Sequence, residues 1–386
     1  MRVILYSSSS FGGCYDYALQ LLPSYAKHPE VKSVKGFFPS NATCEIENSY
    51  KFLIPDEPPE QWNYRRKLHF LFRVYLNPIL LFFRLRKEPA SWVVFNDFEQ
   101  LSAWFWVPLF KWFLRKHKYA VVLHDPDRDN YPPSKRFSAY SMQTIMSLMD
   151  LAFFHEFLPK KPYYKSKGKT RYMSIPHGTY PTALPNSKLK EQLLAQKSGQ
   201  KVFAAMIGNI RQEKNYHLAI EALGFFPQLN LIVAGSPANS RVNLDEYKQL
   251  ALEKGVDQRM IWIEKFLDED EISAIVEVSD IVLLIYSKTF TSQSGILNLI
   301  ARYKKRIVAS DGSSSLSWIM RHYNLGVLVE PDSLISLVKG IETVLSGEQL
   351  TKQAWDEYLD YANWDNHVKQ VVKASKSDFL AKEDIE

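Results

Sequence analysis

Thiols are nearly absent: Cys14 and Cys44 are the only cysteines in 386 residues. Two cannot build a disulfide framework or a cysteine-based metal site, so a reducing cytoplasm is the expected compartment. The uncharged stretches 74–83 and 104–110 fall far short of the ~20 apolar residues that a membrane-spanning helix needs. At the start of the chain, Arg2 is followed by the strand-like VILYSSSS, so no secretory signal is expected. Without one, the sequon Asn41-Ala42-Thr43 is read as chance. No G-x-G-x-x-G run follows a strand, which removes the nicotinamide dinucleotide fingerprint. No recognisable nucleic-acid module carries the basic residues, so no nucleic-acid partner is expected. A metal signature is wanting too. Asp125-Pro126-Asp127 has the spelling of one but lies far in sequence from the basic loops described below.

With 46% hydrophobic residues, a chain of this length can bury two cores as a soluble globular protein. A net charge of +6 with a pI near 8.9 permits an anionic ligand or an anionic membrane surface.

The first half opens with a strand at 2–5, a Ser/Gly-rich loop from Ser7 to Gly13, and helical spacing of Tyr17, Leu21 and Leu22. Gly12-Gly13 reads equally as a tight turn or as backbone room for a sugar or acceptor. Further strands are expected at 31–37, 50–54, 91–96, 119–123, 147–154 and 172–175. Residues 64–87 and 101–118 interleave Arg and Lys with Leu, Phe, Tyr and Trp. Such a blend suits the membrane–water interface, and it equally suits core helices whose long basic side chains snorkel outward. The strand at 119–123 ends at His124 and Asp125, where a carboxyl-terminal strand end can offer a hydrogen bond or take a proton.

The second half is more regular. Strands at 202–207, 229–234, 260–264, 281–285, 306–310 and 326–329 alternate with helices, the pattern of a parallel, doubly wound sheet. The polar stretch 182–198 joins the halves, and residues 354–374 read as one terminal helix. The module 280–310 is the clearest site signal: a strand, then Thr291, Ser292, Gln293, Ser294 and Gly295 before a helix, where free N–H groups face an anion. An ordinary capped helix would look alike. Three cations at strand ends, Arg211, Lys214 and Lys265, raise the odds of a diphosphate pocket that needs no metal.

The runs GNIRQEKNYHLAIEAL (208–223), LIVAGSP (231–237), I-x-x-x-x-F-L-x-x-x-E-I (261–272), SDIVLLIY (279–286), SGILNLIA (294–301) and RIVAS (306–310) carry a family likeness. In order and spacing they resemble the nucleotide-binding domain of GT-B glycosyltransferases. The nearest pattern is the retaining, nucleotide-sugar-dependent group 1 family, family 4-like, of bacterial polysaccharide assembly. The likeness spans residues 200–345. Before it only Gly12-Gly13, His124-Asp125 and the turn Ile175-Pro176-His177-Gly178 match, and after it Trp364 fits the returning helix.

The resemblance implies an α/β GT-B fold with two Rossmann-like domains facing across a cleft and a C-terminal helix crossing back to the first. Residues 1–182 with 354–374 would be the acceptor domain, 183–353 the nucleotide-sugar domain, and 375–386 a charged tail. Lys214 would bind the donor diphosphate on a loop opened by Gly208, and Ser294, Gly295 and Ile296 would hold it through backbone groups. Lys265, Phe266 and Leu267 would lie near the base, and Asn298 would meet the ribose. Gly13, Asn209, Arg211, Gly235, Ser236, Tyr286 and Gln293 complete the donor set, while His124 and Asp125 are the catalytic candidates facing sugar or acceptor. The family's paired glutamates fall on Phe290 and Asn298 here, and its usual loop arginine falls on Asn209, with Arg211 two positions on as substitute.

The implied activity is sugar transfer from a nucleotide-diphosphate donor to a saccharide or lipid-linked acceptor, without a cofactor, at the inner membrane face. A non-catalytic nucleotide-sugar-binding scaffold and a nucleotide-sugar 2-epimerase share the fold and are the rivals.

Overall fold

Short runs of Val, Ile, Leu and Phe suit strands better than helices, and the helices between them carry the chain across so that successive strands pair in parallel. The computed structural model describes residues 1–43, 45–56, 64–129, 134–165, 169–197, 199–238, 242–347 and 352–376. It divides into two units, Met1–Gly178 with Ala362–Glu386, and Thr179–Tyr361.

Unit 1 holds β1 (Arg2–Tyr6), β2 (Ser33–Pro39), β3 (Ser49–Leu53), β4 (Trp92–Phe95), β5 (Lys118–Leu123), β6 (Leu151–Phe154) and β7 (Arg171–Ser174). They form one parallel sheet in the order β3-β2-β1-β4-β5-β6-β7. Helices α1 (Gly13–Lys27), α2 (Tyr64–Lys87), α3 (Ala103–Phe113) and α4 (Lys135–Met146) connect them. The order reverses between β1 and β4, where Tyr6 pairs with Phe95. In doubly wound sheets that switch point is where ligands bind, beyond the carboxyl ends.

Unit 2 repeats the plan with β8 (Val202–Ile207), β9 (Leu229–Ala234), β10 (Met260–Ile263), β11 (Ile281–Leu284), β12 (Arg306–Ser310) and β13 (Val327–Val329). Their order is β10-β9-β8-β11-β12-β13, with the switch between β8 and β11. Helices α5 (Ser187–Gln196), α6 (Tyr216–Ala222), α7 (Leu244–Glu253), α8 (Glu269–Val278), α9 (Gly295–Ile300), α10 (Ser315–Tyr323), α11 (Leu334–Leu345) and α12 (Lys352–Tyr361) lie between and after them, and α13 (Trp364–Lys376) returns the chain to unit 1.

Three elements differ from the sequence expectation. The polar stretch 182–198 contains α5, which Asn186 caps by accepting the Leu189 N–H and which pairs with α8 through Lys190 and Glu277 at 2.6 Å. The single helix expected at 354–374 is two. Asn363 starts the second by accepting the Asn366 N–H at 2.7 Å, so α12 stays with unit 2 and α13 joins unit 1. Residues 147–150 turn at the end of α4, and the strand begins at Leu151. Most of the expected tail, from 377 onward, lies outside the described residues.

By length and composition α2 could cross a membrane, although its uncharged stretch, 74–83, is far shorter than the ~20 residues of a span. In the structure Val74, Asn77, Pro78, Leu81 and Leu85 are buried against unit 1. Asn77 accepts the Ile54 N–H at 2.8 Å, and Arg73 pairs with Asp56.

Unit 1 also buries a histidine cluster. The Tyr17 ring on α1 is met edge-on by His124 at 4.4 Å, His177 and Trp364 at 4.9 Å, and His367 at 5.5 Å, with His155 tilted at 5.8 Å. His155, His177 and His367 each donate Nδ1–H to a backbone carbonyl, of Ile175, Gly178 and Pro176. Burial pulls His155 down to about 4 and His367 to about 3, and lowers His124 and His177 well below the usual range. These rings fold neutral, whereas an unfolded histidine protonates near about 6.5. Acid therefore favours the unfolded chain: the stability is whole above about pH 6.5 and is lost progressively toward pH 4 and below. Urea midpoints of the unit 1 transition should fall steadily across that window, and a flat profile there would refute the neutral cluster.

Candidate functional site

The loops beyond β8 and β11 meet at the switch point of unit 2. Gly208 opens the first with φ +86, and a Cβ there would stand 2.8 Å from Ile296 Cδ1 and 3.5 Å from Lys214 Nζ. Gly235, after β9, has φ +151, and a Cβ on it would lie 2.3 Å from the Gly208 carbonyl oxygen. Only glycine fits this contact of two backbones. Ser236 joins it through its carbonyl, which accepts the Ile210 N–H at 2.8 Å.

Lys214 is 9% exposed, and its Nζ donates to the Ile207 carbonyl at 2.7 Å. No carboxylate pairs with it among the described residues. Burial, and then the charge of Arg211, pull it down to about 7. Arg211 and Asn209 are exposed beside it on the same loop. The site thus holds a buried cationic group whose protonated form an anion would favour.

The β11 loop closes over this position. The Tyr286 ring stacks on Phe290 at 3.9 Å, and its hydroxyl lies 3.0 Å from Ser294 Oγ. Phe290, at the first glutamate place, is therefore a packing residue. Gln293 has both amide atoms buried without a partner among the described residues, an unsatisfied group facing no protein donor or acceptor. Ser294 is buried, Gly295 exposed and Ile296 half-buried at the start of α9. With six residues α9 is too short for much of a helix dipole, so charge compensation falls on Lys214 and Arg211. Asn298 is wholly buried, with Oδ1 accepting from the Tyr358 hydroxyl and Nδ2 without a partner among the described residues. The amide expected at a ribose is thereby tied to α12 at its oxygen.

Lys265 stands apart. Its ammonium pairs with Glu271, whose carboxylate also accepts the Asp268 N–H, and β10 lies two strands from β8. Already neutralised, Lys265 does not share in the cationic pocket that the sequence expectation gave it. Phe266 beside it is 54% exposed and Leu267 is buried.

Asp332 was missed from the sequence. Its carboxylate accepts from Asn215 Nδ2 at 3.0 Å and from the Lys288 N–H at 3.1 Å, tying the β8 loop to the β11 loop. The Ser287 N–H adds a bond to the Glu213 carbonyl at 2.8 Å. A signal existed in Pro331-Asp332-Ser333, a turn spelling, but its partners are distant in the chain.

Unit 1 presents a second candidate position. His124, half-buried after β5, is held by Asn96. The Asp125 carbonyl accepts from Arg128 Nε at 2.8 Å. Gly13 is exposed at the start of α1 with open space where a Cβ would stand, and the positive φ of +74 belongs to Gly12. Asp127 and Asp129 both hold Lys161 Nζ, at 2.9 and 2.6 Å, which gives that acidic loop an internal cation. Among the described residues no group of three His, Cys, Asp or Glu could hold a metal ion.

Residues 190–359, all within unit 2, match the family model of group 1 glycosyl transferases. No curated protein matches the chain. Solved structures align over nearly all of it. A glycosyltransferase from Rickettsia africae has TM-score 0.71 and 13% identity, covering 97% of each chain. HepE from Anabaena, solved with UDP-glucose, has 0.68 and 13%, covering 97% of this chain and 99% of that one. Sucrose-phosphate synthase from Thermosynechococcus elongatus has 0.67 and 14%, covering 97% and 98%. The chain has the GT-B fold of two Rossmann-like domains, and its second unit carries the group 1 signature.

In the ligand-free protein, NMR of ¹³C-labelled lysine should show Lys214 titrating near pH 7, and inorganic pyrophosphate should move that midpoint upward. A midpoint at the ordinary lysine value of about 10.4 would refute the buried, unpaired state. Gly208→Ala should cost about 1–3 kcal/mol, from the positive φ and the overlap with Ile296, read as a lowered denaturant midpoint.

Proposed function

We propose that this chain is a glycosyltransferase that moves a sugar from a nucleoside diphosphate sugar to a hydroxyl of a saccharide or lipid-linked saccharide. The observation that carries the reading is Lys214: buried at the β8/β11 switch point, beside Arg211, and with no carboxylate partner among the described residues. A diphosphate supplies the missing anion. The UDP-glucose bound in the HepE structure supports a uridine donor.

In the reaction the bond between the anomeric carbon and the β-phosphate oxygen breaks, and negative charge grows on the leaving diphosphate. Lys214 and Arg211 stabilise that charge, so the step speeds up insofar as they hold the transition state more tightly than the donor. The acceptor oxygen bonds to the anomeric carbon and its proton passes to the departing phosphate oxygen. Attack on the same face retains configuration and asks for no nucleophile from the protein, consistent with Phe290 and Asn298 at the glutamate places. His124 orients a hydroxyl of sugar or acceptor. Because two cations do the neutralising, turnover should persist in excess EDTA.

The acceptor reading draws on α2 and α3. Tyr64, Leu68, Phe72 and Leu76 recur every fourth residue on α2 and are exposed, and on α3 Trp112 and Phe113 are 69% and 64% exposed. Neither helix contains Asp or Glu, while Arg65, Lys67, Arg86, Lys87 and Lys111 are exposed on them. Rings at headgroup depth with cations on anionic lipid make this a membrane-facing surface at the cytoplasmic leaflet.

A second reading, binding without catalysis, is favoured by Phe290 packing on Tyr286 and Asn298 on Tyr358. A donor panel with purified protein and lipid-linked acceptors decides between them. Lys214→Ala should lose roughly 100-fold or more in kcat/KM. Donor binding with no transfer to any acceptor favours the second reading, and full activity of Lys214→Ala removes the diphosphate assignment. Co-sedimentation with anionic vesicles at low salt tests the surface, and Trp112→Ser with Phe113→Ser should weaken it by roughly tenfold.

A further inference from the structure

Among the described residues, His124 has one hydrogen-bond partner: its Nε2 lies 3.0 Å from Asn96 Oδ1. Asn96 follows β4, is wholly buried, and stands next to β1 in the sheet order. Its Nδ2 donates to the Cys14 carbonyl at 2.7 Å and lies 3.4 Å from Ser7 Oγ. A carbonyl can only accept, so turning the amide over would set two oxygens against each other at Cys14. The amide therefore has one orientation, with Oδ1 toward the imidazole. An acceptor at that place requires hydrogen on Nε2. Neutral imidazole carries one N–H, which leaves Nδ1 with a lone pair.

The rest of the cluster does not compete for this role. His155, His177 and His367 spend Nδ1–H on main-chain carbonyls, which no side-chain substitution would remove. His124 instead has its hydrogen held by the Asn96 side chain, and the Tyr17 ring, edge-on at 4.4 Å, restrains its tilt.

We propose that Asn96 is a positioning residue that fixes His124 in the Nε2–H tautomer, so that Nδ1 meets a hydroxyl hydrogen of the sugar or acceptor and not a phosphate oxygen. The inference rests on His124 acting in the transfer. It also narrows that act to accepting a hydrogen bond, a task imidazolium cannot perform.

The test is Asn96→Asp. A carboxylate still accepts Nε2–H and favours the imidazolium, against burial and the charge of Arg128, with Tyr17 at 4.4 Å, the neutral His155 at 5.8 Å and the neutral His367 around the ring, while its second oxygen meets the Cys14 carbonyl where Nδ2 donated. The acid limb of kcat should move up by about one pH unit or more while the donor KM stays within roughly twofold. In ¹⁵N spectra of labelled histidine, wild-type His124 should show Nε2 protonated and Nδ1 bare at about pH 7.5, and the variant should show both protonated. Asn96→Leu should lower kcat by roughly tenfold to hundredfold with no such shift of the limb. An unchanged pH profile and spectrum in Asn96→Asp, or a wild-type spectrum with Nδ1 protonated, overturns the proposal. The wild-type spectrum decides even if the variants fail to fold. A fully active His124→Ala removes the catalytic reading alone, because the spectrum of the resting protein still reports what Asn96 does.

Discussion

An ammonium group taken out of water is costly unless something answers its charge, and a single carbonyl answers it only in part. Lys214 is in that position, and its surroundings follow from it. Gly235 lets its backbone meet that of Gly208, and the missing side chain of Gly208 leaves room for Ile296 and for the Lys214 ammonium. Glu213, the adjacent carboxylate, is exposed and contributes only its carbonyl, to Ser287. Asp332, the acid nearest in role, is spent on Asn215 and the Lys288 amide. The Asp332 carboxylate holds the loops together and, among the described residues, no carboxylate pairs with the cation, as a site for an anion requires.

The fold was legible because strand and helix periodicities are local. The strands at 202–207, 229–234 and 306–310 coincide with their apolar runs, and helix 64–87 with its full span. What escaped were features set by a single polar side chain. Asn363 splits one expected helix into two, and Asn186 starts a helix in a stretch with almost no apolar face. The candidate site divides the same way. Lys214, Gly208 and Gly235 announce themselves by type and position. Lys265 looked equivalent to Lys214, and only its distance from the switch point and its pairing with Glu271 separate them. Asp332, Asn96 and Tyr358 act on partners tens of residues away, which no window of sequence contains.

Unit 1 uses the opposite electrostatic strategy. The clustered histidines are kept neutral by burial and are held by main-chain carbonyls and aromatic edges, so the cluster acts as packing that happens to be titratable. His124 sits at its rim, where the same apolar surroundings keep the imidazole neutral and able to accept. The acid sensitivity of the cluster and the neutral state of the His124 ring thus have a common cause in burial.

The passage of the chain from unit 1 to unit 2 and back has a bearing on how the molecule is made. Unit 2 is continuous, but Trp364 and His367, which complete the packing around Tyr17, are supplied by α13 after unit 2 is finished. On a ribosome the unit that is translated first is the one that closes last. Until α13 emerges, Tyr17 and Gly178 lack the rings that cover them, and the nascent first unit must wait with part of its core open while the second can already fold.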